Sequence, residues 1–239
     1  MNRGIYPPLA EAIALERRLG VLAQNVSNIN TAGYKNDKPV FETILARMNG
    51  PRTAGIDLFP DVALVRPDRS QGVLQHTGQP FDLALKGEGF FVVQTQAGPR
   101  FYRGGSLHRD VKGTLVTHTG DPLLGKSGPI ALPPGPMVVN ESGAVSVNNK
   151  KVGQLRLEQV PDSSLPMKVG DLFWRIPQGA VPTTTVRVQQ GMLEKSNVHP
   201  STGLLEMIQV TRGYEQMQKA IRTMDEMTGQ VIQAARVQR

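Results

Sequence analysis

Apolar residues recur at Ala12, Leu15, Leu19, Leu22, Val26 and Ile29, alternately three and four positions apart. That 3.5-residue period is the seam of a coiled coil, and it predicts a helix over about Leu9 to Ile29. Pro7 and Pro8 stand at its start, where a missing N–H costs nothing. The same alternation returns near the other end of the chain, at Met207, Val210, Tyr214, Met217, Ile221, Met224, Thr228, Val231 and Ala235. Only Thr228 is polar, and the stretch predicts a helix from about Leu204 to Val237, roughly 50 Å long. Glu215 and Lys219, and Arg222 and Glu226, fall four apart on its other face. Gly203 and Gly213 interrupt the pattern, each weakening a helix by ~1 kcal/mol relative to alanine.

Between the two periodic segments the pattern changes to short β-branched runs separated by Gly, Asn and Pro. "DLALKGEGFFVVQT" predicts two strands hinged at Gly87 and Gly89. "GTLVTH", "PMVVNESGAVSVNNKKVGQLRLEQV" and "TTTVRVQQGML" add further strands, with hairpin signals at "NESG" and "VNNKKVG". The expected fold class is α+β: N- and C-terminal helices pairing as a coiled coil, with a central all-β domain. The corresponding division is an N-terminal helix in residues 1–36, an extended linker in 37–75, a β domain in 76–190 and a C-terminal helix in 191–239. Each helix carries an apolar stripe that it cannot bury alone, and pairing the two leaves surface for other subunits.

The first helix stops in "QNVSNINTAGYKND". Asparagine, serine and threonine compete with helical backbone bonds, and glycine takes a left-handed conformation without a Cβ penalty. Asn25, Asn28, Asn30 and Gly33 are therefore expected to form a helix-ending turn, with Gly33 at positive φ. Asparagine amides can also bond backbone groups of a neighbouring chain.

Composition agrees with a turn-rich, strand-rich middle: 25 Gly and 18 Pro in 239 residues, with 39% apolar and 5% aromatic residues. The net charge of +7 is spread among acids, with no block of like charge, so it describes a solvated surface better than a nucleic-acid footprint. A basic nucleic-acid-binding module is the alternative of another class. The absence of cysteine removes disulfides, thiolate zinc sites and cysteine nucleophiles. Glu11, Glu16, Arg17 and Arg18 break the apolar positions near Met1, which argues against a secretory signal.

One chemical motif stands out by letter. Gly120-Asp-Pro-Leu-Leu-Gly-Lys126-Ser127 matches the phosphate loop G-x-x-x-x-G-K-[ST]. That loop needs a helix behind it to aim amides at phosphate. "GPIALPPG" follows instead, and Pro133 and Pro134 would break such a helix, so a turn between strands is expected. His108, Asp110 and His118 fit no zinc spacing. No nucleophile–base pair emerges. The expectation is no enzyme, no cofactor and no metal.

Several stretches resemble the rod and hook family of the bacterial flagellum. "NVSNINTAGYK" resembles the family's Asn-rich ending of the N-terminal helix, and "LALKGEGFFVV" its central Gly-rich strand. "FYRGGSLHRDVKGTLVTHTGDPLLG" and "GMLEKSNVHPSTGLLEMIQVTRGYEQMQKAI" are similar to the segments that follow. "GPIALPPG", "VGQLRLEQV" and "RVQQGMLEKSNV" lie nearer the proximal-rod members than the distal-rod or hook members. Phe101-Tyr102-Arg103 and Leu107 depart from the usual pattern. The resemblance implies a non-catalytic building block of the periplasmic rod, exported by the flagellar type III apparatus without a cleaved signal peptide. Its implied partners are other rod proteins and copies of itself, with no nucleic acid and no membrane insertion. On that reading Leu15, Leu19, Leu22, Val26, Ile29, Met207, Val210, Tyr214, Met217, Ile221, Met224 and Val231 form the assembly interface.

Overall fold

The computed structural model describes residues 6–46, 57–161, 164–177 and 179–237. The chain divides into two compact units. A helical unit takes Met1–Ser27, Asp37–Arg66 and His199–Arg239, and a β unit takes Asn28–Asn36 and Pro67–Val198.

In the helical unit, helix α1 (Tyr6–Ser27) lies along helix α2 (Pro200–Val237). Their sense is antiparallel. Val26 packs where a side chain on Gly203 would begin, 3.4 Å away, and Leu15 does so at Gly213, 3.5 Å away. Arg18 and Glu206 approach to 3.9 Å, an exposed pair worth little. The two glycines that weaken α2 thus let α1 come close, and α2 runs through both without interruption. Ala12, Ala14, Leu22 and Val210 are buried.

At 1.5 Å per residue α2 is ~57 Å long against ~33 Å for α1. The register places the start of described α1 level with about residue 222 of α2. Beyond that level α2 has no described part of α1 beside it, and Met224 and Met227 are exposed, the latter at 61%.

Of the segment expected as an extended linker, residues 47–56 lie outside the described residues, and two strands flank them. Strands Asp37–Ala46 and Asp57–Pro67 pair as a two-stranded sheet. The first is tied to α1 by a reciprocal bond. Asn25 Nδ2 donates to Asp37 O, and Asp37 N–H donates to Asn25 Oδ1, both at 2.8 Å. The amide of Asn25 thus acts as a strand partner from the end of a helix.

The β unit holds a six-stranded antiparallel sheet in the order Met167–Val169, Phe173–Arg175, Gly98–Tyr102, Phe90–Thr95, Leu157–Gln159, Val181–Pro182. A four-stranded sheet runs Arg187–Gln190, Asp82–Lys86, Gly104–Arg109, Leu115–Thr117. Met137–Val139, Ala144–Val147 and Lys150–Gln154 form a three-stranded meander. Its second turn is Asn148-Asn149 with φ of 51° and 61°, the mirror-type turn whose twist matches a hairpin. Leu83, Leu85, Phe91, Val93, Leu115, Leu123, Val145 and Leu155 are at most 1% exposed at the centre. A satellite core gathers Phe90, Val160, Trp174 and Ile176.

A unit boundary falls after Asn36, where one was expected; others fall after Ser27, Arg66 and Val198, and none at residue 191. The β unit includes Asn28–Asn36 before it and extends to Val198 after it. Limited proteolysis is therefore expected to leave a fragment from near Asn28 to near Val198. A stable fragment beginning after Asn36 would contradict this placement.

Candidate assembly surfaces and a buried clasp

Two features define what the molecule offers: the striped helices and a charged clasp inside the β unit. On α1, Leu22 is buried, while Leu15, Leu19 and Val26 are half-buried. On α2, Val210 is buried, and Met207, Tyr214, Met217 and Ile221 are half-buried. Met224 is at the exposed limit, with 36% of its surface open. The side chain of Val231 lies outside the described residues. Ile29 does not join this row. α1 ends at Ser27, and Ile29 belongs to the β unit, so its expected place on the helical seam is corrected.

The physical reason is the turn that follows the helix. Thr31 N–H donates to Asn28 O at 3.1 Å, and Thr31 Oγ1 donates to Asn28 Oδ1 at 3.0 Å. These bonds replace the helical ladder at Asn28. Asn30 is exposed. Gly33 has φ of 75°, as expected of the residue that redirects the chain. Its N–H donates to Glu194 O at 2.8 Å, and a Cβ built there would stand 2.9 Å from Gly104 O. Gly33→Val meets both the left-handed φ and that carbonyl, at a cost of roughly 1–3 kcal/mol for the backbone alone. Gly33→Asn escapes most of the φ penalty and keeps the collision. Thermal unfolding should therefore place wild type highest, Asn next and Val lowest; equal melting of the two variants would remove the role assigned to φ.

Next to Gly33 the chain enters a clasp that local sequence did not reveal. Glu194 is 1% exposed, at the end of strand Met192–Glu194, which pairs with Leu74–His76. Its Oε1 accepts from Lys35 Nζ at 2.5 Å and from Gly72 N–H at 2.9 Å. Its Oε2 accepts from Arg103 Nε at 2.7 Å, and Arg103 Nη1 donates onward to Gly89 O at 2.6 Å. Lys35 Nζ also donates to Ser70 O at 2.6 Å. Burial holds the Lys35 ammonium below the usual lysine range, against the pull of Glu194. Tyr102 nearby is pushed well above the ordinary tyrosine value by burial, with Asp82 adding to the shift.

Around this triad the neighbouring chain segments are tied by asparagine and lysine. Asn197 Oδ1 accepts from Asn36 N–H at 2.6 Å, while Asn197 Nδ2 donates to Asp68 O at 3.0 Å and Ser70 O at 3.2 Å. Lys168 Nζ donates to Lys35 O and sits 3.8 Å above the ring of Tyr34, which is 1% exposed. A cleft of about 20 Å³ beside the triad, lined by Lys35, Arg69, Phe90, Arg103 and Trp174 among others, is the size of one water. It is too small for a substrate.

The phosphate-loop letters occupy a different structure from the one that binds nucleotides. Leu124–Gly125 and Gly128–Pro129 pair as a tight hairpin, with Lys126 and Ser127 in its turn. Lys126 N–H is engaged by Gln154 O at 2.9 Å, and strands follow where a helix is required. Among the described residues no group of His, Asp and Glu is placed to hold a metal ion. No helix among them is long and apolar enough to cross a membrane.

The described features are two striped helices and a β unit that holds the segment Asn28–Asn36 by specific bonds. Comparison with known proteins gives these features a family. The description "Flagellar basal body rod FlgEFG protein C-terminal" matches residues 189–234, and "Flagellar hook protein FlgE/F/G D1 domain" matches residues 84–150. The flagellar basal-body rod protein FlgF of Caulobacter vibrioides is 32% identical, over 98% of this chain and 98% of its own. FlgF of Escherichia coli is 29% identical over 98% of both chains. FlgG of Buchnera aphidicola is 32% identical over 90% of this chain and 92% of its own. The chain belongs to the flagellar basal-body rod family of FlgF and FlgG proteins, a family of structural proteins and not of enzymes.

Proposed function

We propose that the chain is a structural subunit of the flagellar rod, assembling through its terminal helices into a helical tube that transmits torque. The observation that carries this reading is the full-length likeness to a FlgF protein combined with two long apolar stripes. α1 and α2 act as a coiled coil, with Leu15, Leu19, Leu22, Val26, Met207, Val210, Tyr214, Met217 and Ile221 along its seam. Met224, and further along Val231, continue the stripe past α1. Exposed Leu204, Leu205, Ile208, Ile13 and Met227 widen it. These apolar side chains are covered by neighbouring subunits, through head-to-tail contacts that repeat without closing.

The terminal helices supply the contacts between subunits. The partners are copies of itself and other rod proteins. The place of work is the periplasmic rod, and delivery is by the flagellar type III apparatus without a cleaved signal peptide; support for both comes from the family. A nucleic-acid role finds no block of basic residues along the sequence in its favour. Deleting the coding sequence is expected to abolish swimming, and restoring it to recover swimming. A deletion strain that swims normally would count against the rod role.

A further inference from the structure

Both flanks of Asn28–Asn36 belong to the helical unit, yet the segment itself is packed into the β unit. Its anchors are specific to its residues. Gly33 fits at positive φ against Gly104, and donates its N–H to Glu194 O. Tyr34 is buried beneath Lys168. Lys35 meets Glu194 and Ser70 O, and the Asn36 backbone bonds Asn197 Oδ1 at 2.6 Å and Asp68 N–H at 2.7 Å. Every one of these receiving groups lies within the single stretch Pro67–Val198.

The receiving groups are also held by bonds that do not involve the segment. Glu194 keeps Arg103 and Gly72 N–H, Arg103 keeps Gly89 O, and Asn197 keeps Asp68 O and Ser70 O. A groove positioned by its own bonds and filled by a segment held through residue-specific contacts has the chemistry of a peptide-recognition site.

We propose that the β unit contains a recognition groove for a Gly-Tyr-Lys-Asn segment that enters through a turn at Gly33, filled by this chain's own Asn28–Asn36 and open to the same segment from a second copy. Two copies then exchange these segments, as in domain swapping. A second copy is the fitting donor because it carries all four features in order, and because the segment joins the β unit only through chain that belongs to the other unit. Within one chain the tethered segment competes at an effective concentration in the millimolar range. Exchange therefore needs copies held close together, or a segment released by unfolding. The groove rests on the bonds above and stands apart from the rod reading.

The chain has no cysteine, which makes the test direct. Asn36 and Asp68 share a backbone bond of 2.7 Å. Full-length Asn36→Cys and full-length Asp68→Cys are unfolded together, refolded at high concentration and oxidised. A disulfide-linked heterodimer well above the two homodimers is expected, with the double variant closing within one chain as the control. A control that closes while the mixture yields no excess heterodimer overturns the proposal.

If the control does not close, a labelled peptide of residues 28–37 decides, added to the full-length Tyr34→Ala, Lys35→Ala variant. Saturable binding at least tenfold tighter than to wild type is expected, with recovery of buried emission from Trp174, the sole tryptophan, if the variant has lost it. No binding up to millimolar peptide, whether that variant is folded or not, overturns the proposal. These readouts are made on purified protein, so they stand or fall separately from rod incorporation.

Discussion

Glu194→Ala is expected to lower the stability of the β unit by about 3–5 kcal/mol, because it leaves Lys35 and Arg103 buried without a counter-charge. Both cations are nearly enclosed, with side-chain exposures of 3% and 5%, so bulk water cannot replace the charge of the carboxylate. Gly72 N–H loses its acceptor as well. For a unit of this size the loss corresponds to a fall in melting temperature of about 10–17 °C. The matched comparison is the triple variant Lys35→Met, Arg103→Met, Glu194→Leu. Removing the whole triad avoids stranded charge, and should recover at least half of the loss even though Gly89 O then loses its Arg103 donor and Gly72 N–H its acceptor. Trp174 is 1% exposed beside the clasp and reports the melt by fluorescence. A triple variant that melts no higher than Glu194→Ala would show that packing of the clasp, rather than its charge balance, sets the stability.

The second large effect concerns function and separates folding from assembly. Val210 is 3% exposed beside α1, whereas Met224 stands where α2 has run past the described part of α1. Val210→Asp buries a carboxylate within the helix pair at a cost of several kcal/mol, and should loosen that pair in the isolated chain. Met224→Asp should leave the isolated chain's melting within ~0.5 kcal/mol of wild type, as for surface substitutions in general. If the stripe beyond α1 is covered by a neighbour, the same substitution places a charge in every subunit contact. Swimming should then fall to near zero in both variants, with the β unit folded in both. Normal swimming with Met224→Asp would mean that this part of the stripe faces solvent in the assembly.

The helices were legible because their period is long and strict, and their ends were set by local chemistry. The Asn148-Asn149 hairpin and the positive φ of Gly33 were legible for the same reason: a backbone constraint falls on one or two residues. Ile29 misled because it sits at heptad spacing, while the turn bonds of Asn28 and Thr31 end the helix two residues earlier. The linker concealed a strand pair. The clasp was not legible at all. Lys35 and Glu194 are 159 positions apart, Arg103 and Glu194 91, and nothing local distinguishes them from surface charges. Only the fold makes Glu194 the common partner of two cations.

The most direct test of the whole account is the composition of purified flagellar basal bodies from motile cells that make this protein. Quantitative mass spectrometry of the rod fraction should find the chain at a fixed ratio to the other rod proteins, and should lose it in the Val210→Asp strain. Basal bodies of normal rod structure that contain none of it, purified from cells in which it is abundant, would contradict the claim that it is a subunit of the rod.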